Sequence, residues 1–221
     1  MVRTVFEREL QRIQDELLVL GSMTEKAIAG AIDALLRRDV ELARRVIEDD
    51  SRINHQRFAI EEQCIQVMAT QQPLATDLRV IVAVLNIISD LERMADHAEG
   101  IGRICLLMVG EAYGQDFGHI PEMATKARGM LHDSLTAFIE HDVDAALAVC
   151  MRDDEVDALY DTVYAVTINQ MIREPAAITP LTYHLWTAHN LERIADRATN
   201  IAERVVFLVT GRMDELNVSR Y

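Results

Sequence analysis

The sequence predicts an all-α protein of two tandem, sequence-related three-helix bundles, six long helices in all. Three observations carry this expectation. Glycine (9) and proline (4) are scarce among 221 residues, so turns are few and the elements between them long. Apolar residues recur at steps of three and four almost throughout, as they do on helices with one buried stripe. The heptapeptide DLERMAD at 90–96 returns as NLERIAD at 190–196, one hundred residues later.

The elements follow in order. Helix 1 is expected over 5–36, its stripe made by Phe6, Leu10, Ile13, Leu17, Leu20, Ala27, Ile28, Ala31 and Leu35. Asp39 reads as the N-cap of a second helix reaching Ala69. Gln71-Gln72-Pro73 breaks that helix, and Pro73 suits the first turn of a third that runs to Val109. Gly110, Gly114 and Gly118 mark 110–119 as the connection. After Pro121 the pattern restarts, with helix 4 to Glu140, Asp142 as an N-cap and helix 5 to Ile172. A break at 174–180 precedes helix 6, which ends at Thr210 with Gly211 as C-cap.

Upstream of the heptapeptide the halves align at an offset of 103, pairing Asp39 with Asp142, Asp50 with Asp153 and Asn54 with Asp157. The offset changes only at the Pro-containing loops, where insertions are tolerated. The expected domains are therefore 1–110 and 120–221, joined by 111–119.

Composition narrows the function. A net charge of −14 repels phosphate backbones and argues against nucleic-acid binding, while attracting cations or basic partner surfaces. Cys64, Cys105 and Cys150 lie far apart in apolar stretches with no CxxC pair, and read as buried thiols in a reducing, cytoplasmic compartment. The N-terminus MVRTVFERELQRIQ is charged and amphipathic, unlike a secretory signal. The longest uncharged run, 80–89, falls short of the roughly 20 residues needed to span a bilayer.

The repeated motif carries the chemistry. Glu92 and Asp96 are i and i+4, hence on one helix face, as are Glu192 and Asp196. Such a pair repels by roughly 0.2–0.5 kcal/mol on an exposed helix, so its repetition calls for compensation by a cation, a basic partner or internal arginines. In the second half His189, Glu192, Asp196, Asn200 and Glu203 continue the face; the first half has Ser89, Glu92, Asp96, Gly100 and Arg103. Oxygen donors suit Mg²⁺, Ca²⁺, Mn²⁺ or Fe, and the lack of paired cysteines argues against structural zinc. The alternative is ion pairing with Arg79, Arg93, Arg193 or Arg197. Asp50, Asn54, Asp153 and Asp157 form i, i+4 pairs on helices 2 and 5, facing either the motif or solvent. His184 and His189 read as surface or core residues. There is no Gly-rich phosphate loop, GxSxG, HExxH or Glu-x-x-His, so an enzyme is not expected.

The doubled Leu-Glu-Arg-hydrophobic-Ala-Asp motif resembles the PhoU family of phosphate-uptake regulators. So do Gln72-Pro73-Leu74-Ala75-Thr76-Asp77-Leu78-Arg79 and Ala198-Thr199-Asn200-Ile201-Ala202-Glu203, and the likeness spans about 5–211. The resemblance implies two three-helix bundles, a cytoplasmic location and a homodimer. It also implies a negative regulator of phosphate uptake and of the phosphate-starvation response, an adaptor between the ATPase of a phosphate ABC transporter and a sensor histidine kinase. Metal ions (Fe, Mn, Mg or Zn) would lie on Glu92, Asp96, Glu192 and Asp196, supported by Asp50, Asp153, Asp157, Asn200 and Glu203. This chain has Gly100 where the family usually has Asn, and Arg197 where it commonly has His; a cationic Arg197 opposes a cation at the second motif. The rival expectations are a metal-dependent helical-bundle enzyme and a purely structural bundle with ion-paired acidic faces.

Overall fold

The computed structural model describes residues 2–110 and 117–212. These form six α-helices and no strand: α1 (Val2–Arg37), α2 (Val40–Gln71), α3 (Thr76–Leu107), α4 (Ile120–Glu140), α5 (Val143–Arg173) and α6 (Ile178–Thr210). One 3₁₀ turn (Pro175–Ala177) precedes α6. Of the expected connection 111–119, residues 111–116 lie outside the described residues.

The two halves end and restart their helices by the same device. Arg38 (φ 54°) and His141 (φ 55°) take the left-handed conformation that stops α1 and α4. The next residue, Asp39 or Asp142, donates its N–H to Ala34 O at 2.9 Å or Ala137 O at 3.0 Å. Each aspartate then caps the following helix, accepting from Leu42 N or Ala145 N at 2.9 Å. Gly211 closes α6 at φ 75°, as its lack of a Cβ allows.

Two expectations at proline are corrected. Pro73 lies before α3, because Ala75 at φ 49° is not helical and the helix begins only at Thr76. The break before α6 is shorter than 174–180: Pro180 sits inside the first turn, where its missing N–H has no helical partner to lose.

Within each half, three helices pack pairwise; α3 and α6 meet along the middle of the molecule and α1 meets α4. The stripe read from α1 is the buried one, with Ile13, Leu17, Leu20, Ile28 and Leu35 all at most 1% exposed. Full burial of such a side chain stabilises by about 1.5–3 kcal/mol. At the α1–α4 contact a Cβ on Gly21 would stand 2.5 Å from Leu135 Cδ1, so the halves come this close only over a glycine. Cys64 and Cys105 are buried and Cys150 partly so, all three as free thiols. Burial pushes Cys64 up to about 12, leaving an inert core residue. Among the described residues no helix is long and apolar enough to cross a membrane.

Candidate functional site

Each half carries one acidic face where its last helix meets its second. In the first, α3 presents Glu92 and Asp96 one turn apart, and α2 brings up Asp50. Burial raises the Asp50 carboxyl above its usual range, and the charges of Asp96, Glu99 and Glu92 raise it further, while Asn54 Nδ2, donating at 2.8 Å, works against them. Asp50 and Asn54 therefore face the motif, an orientation the sequence left open. Glu92 is raised by burial and by Asp96, with Arg93 and Arg57 opposing. Arg93 straddles the pair, Nε 3.6 Å from Glu92 and Nη1 3.4 Å from Asp96.

The second face has the same plan and is deeper. Glu192 is 7% exposed and Asp153 2%. Burial pushes Glu192 up to about 7, with Asp196, Asp157 and Asp153 adding and Arg193 opposing. Asp196 is also raised by burial, against Arg193 and Arg197. Arg193 straddles this pair too, Nη1 2.8 Å from Asp196 and Nε 3.3 Å from Glu192. His189 Nδ1 lies 3.5 Å from Glu192, and burial, Arg193 and His97 all lower its pKa. Glu203 sits at the edge of this seam, beside Cys150, whose thiol is pushed up to about 11 by burial and then by Glu203 and Asp153.

The faces differ in what α2 and α5 contribute. Arg57 lies near Glu92 and pairs with Glu61 at 2.9 Å. Its counterpart 103 residues on is Tyr160, an uncharged ring 6.2 Å from that of His189. At this position the second face has an uncharged ring where the first has a guanidinium.

Asn200 and Arg197 also reach across to α3. Asn200 Nδ2 donates to Asp90 Oδ1 at 3.2 Å, and Arg197 Nη1 stands 3.5 Å from the same oxygen. Burial raises Asp90, and those two partners pull it back down. Arg197 thus pairs across the α3–α6 contact, and its charge still reaches Asp196, so the expected opposition to a cation at the second motif stands. The repeat-related pair is His97 Nδ1 and Asn190 Oδ1, 2.9 Å apart. Gly100 answers to Asn200, and a Cβ there would stand 3.3 Å from Asn190 Oδ1, so the glycine makes room for that amide. Arg79, an alternative partner for the acidic faces on the sequence, donates instead to Thr76 Oγ1 at 3.3 Å.

Sequence reasoning missed Asp90, His97, Arg57 and Glu99. The one available signal was the mismatch of Asp90 with Asn190, the only change of polar residue between the two heptapeptides. Arg57 and Glu99 follow no repeat, since their counterparts are Tyr160 and Thr199.

Chemically, both faces offer hard carboxylate oxygens to a cation. Among the described residues, buried Asp50 Oδ1 and Glu192 Oε2 accept no hydrogen bond; Glu192 Oε2 has the Arg193 guanidinium at 3.3 Å, and a buried carboxylate oxygen is costly without such a charge beside it. Among the described residues no three His, Cys, Asp or Glu side chains converge closely enough to hold a metal ion. Instead, the guanidiniums of Arg93 and Arg193 straddle the two carboxylates of each motif. The donor chemistry fits a hard cation that competes with an arginine.

The sequence pattern of the family described as "PhoU domain" matches the chain twice, at residues 17–105 and 120–205. A protein of Clostridium acetobutylicum named as a phosphate-specific transport system accessory protein PhoU homolog is 38% identical, over 98% of this chain and 100% of its own. The crystal structure of PhoU from Pseudomonas aeruginosa superposes with a TM-score of 0.89 at 34% identity, over 94% of this chain and 100% of that one. That of the phosphate transport system regulatory protein PhoU from Streptococcus pneumoniae gives 0.87 at 32%, over 95% and 99%.

Proposed function

Because the chain belongs to the PhoU domain family, we propose that it is an accessory regulator of phosphate transport that works by binding, not by turnover. In the finer reading it is a cytoplasmic homodimeric adaptor that restrains the phosphate-starvation response. It joins the ATPase of a phosphate ABC transporter to a sensor histidine kinase. The observation that carries this reading is the doubled acidic face, each with a buried carboxylate oxygen that accepts no hydrogen bond among the described residues, in both matched halves.

Arg93 and Arg193 supply the mechanism. Each is an internal cation on a mobile stem, partly exposed (side chain 60% and 38%), and can be exchanged for another cation. A basic side chain of a partner would take over the carboxylates, or a metal ion (Fe, Mn, Mg or Zn) on Glu92 and Asp96 or on Glu192 and Asp196 would do so, with Asp50, Asp153 and Asp157 behind them. Regulation requires one partner state to bind more tightly than another, since equal affinity shifts no equilibrium.

Co-purification of the untagged protein with the transporter ATPase and with the kinase, in high and in low phosphate, tests the adaptor. Association with neither, in either condition, sinks it. Elemental analysis of chelator-free protein beside a Glu92→Ala/Glu192→Ala variant tests the metal. Stoichiometric metal that falls in the variant supports metal on these faces, and a metal-free wild type removes that part and leaves docking onto basic surfaces.

A further inference from the structure

Between α1 and α2 an open groove of about 450 Å³ runs over Met23, Leu42, Val46 and Ile53. From Leu42 to Ile53 this floor follows about 16 Å of α2, some three turns of a facing helix. Lys26 and Arg45 stand exposed on its rim. Among the described residues neither makes an ion pair or a hydrogen bond. The remaining rim charges, Arg52 and Asp49, satisfy each other at 3.0 Å.

The internal repeat provides the comparison. At the offset of 103, Met23, Gly30, Asp49 and Arg52 correspond to Lys126, Asp133, Arg152 and Glu155. There the charges tie α4 to α5 directly: Arg152 pairs with Asp133, and Lys126 with Glu155 at 2.6 Å. Where the first half has Lys26 and Arg45, the second has Gly129 and Ala148. The cavity on that seam is about 200 Å³. One copy of the seam is therefore closed by its own ion pairs, and the other is left wide, apolar and cationic. Composition does not force this, because the chain has 36 acidic residues to set against 22 basic ones.

We propose that the α1–α2 groove docks an acidic amphipathic helix of a partner protein, with the partner's apolar stripe on the floor and its carboxylates on Lys26 and Arg45. Helix-in-groove recognition needs an apolar trough about three turns long and complementary charge at its edges, and both are present. A basic helix meets the wrong sign here. A single fatty acid brings one carboxylate to two cations. The net charge of −14 repels an acidic helix from the rest of the surface, so this groove is selective. The proposal is independent of the acidic faces, which attract the opposite charge on different seams.

The test is fluorescence anisotropy on the full chain with a labelled 18-residue Leu/Glu amphipathic peptide. Wild type is compared with Lys26→Gln/Arg45→Gln and Lys26→Glu/Arg45→Glu, and circular dichroism confirms that the exposed substitutions leave the fold intact. Saturable binding is expected, weakened about tenfold by the Gln pair, abolished by the Glu pair and reduced by salt. No saturable binding, or binding that survives charge reversal, overturns the proposal. Binding of laurate without binding of the peptide overturns it as well, in favour of a single-chain anionic occupant.

Discussion

Arg197 on α6 reaches Asp90 on α3 at 3.5 Å, and the same positions of the repeat exchanged, His97 and Asn190, meet at 2.9 Å. The two contacts tie the halves together, one by charge and one by a neutral hydrogen bond. Asp90 is the more sheltered partner, its side chain 14% exposed against 35% for Arg197. Removing the arginine leaves a largely buried carboxylate with the neutral Asn200 amide as its donor. Arg197→Ala should therefore destabilise by about 1–3 kcal/mol, between the surface and the buried limits for broken pairs. Asp90→Asn with Arg197→His copies the opposite contact and should recover much of that loss in urea denaturation. If the double variant is as weak as Arg197→Ala, the two contacts are not interchangeable.

Glu192 sets a pH dependence. Its folded pKa, about 7, is raised above the ordinary glutamate value of 4.5, so the folded chain holds this proton more tightly than the unfolded chain. The resulting stability is fully present below about 4.5 and is lost as pH rises through about 7. Asp50, Glu92, Asp90 and Asp196, all raised, act in the same direction. In chelator, Glu192→Gln should exceed wild type by about 2 kcal/mol at pH 7.5 and show a flatter stability profile from pH 5 to 7.5. Equal slopes for the two proteins would place the titration elsewhere.

Arg193 is the internal competitor of any cation on the second face. Its replacement by Gln removes the guanidinium that contacts both Glu192 and Asp196, leaving only the more distant charge of Arg197 on Asp196. Mn²⁺ affinity measured by calorimetry should rise about tenfold in Arg193→Gln, the equivalent of removing one partly screened positive charge. An unchanged affinity would mean that cation and guanidinium do not share the carboxylates.

The capping aspartates should behave as a matched pair. Asp39→Ala and Asp142→Ala each remove a 2.9 Å acceptor from a helix N-terminus and should each cost about 1 kcal/mol by thermal or urea unfolding. A loss at only one of them would show that the other helix is held by packing alone.

Much of the fold was legible in advance because helix rules are local. A capping aspartate acts on backbone two or three residues away, and the α1 stripe shows its 3.6-residue period within one segment. Pro73 misled because the positive φ of Ala75 leaves no mark in the residue type. Of the candidate site, the motif positions were legible but their company was not. Asn200 looked like a continuation of the second face, yet it turns to Asp90, a residue 110 positions away.

By itself the sequence determined that this chain is six helices in two repeated halves, each carrying a paired carboxylate on its third helix. Periodicity, caps and internal alignment suffice for that, since each acts along a single stretch of chain. Only the tertiary structure decided which charges meet. It gave Arg197 to Asp90 and Arg193 to Glu192 and Asp196, sank Glu192 deeper than Glu92, and left Lys26 and Arg45 without an acid among the described residues. Those outcomes depend on how helices cross and how far apart they lie, and burial then sets the strength of each charge through the solvent it removes.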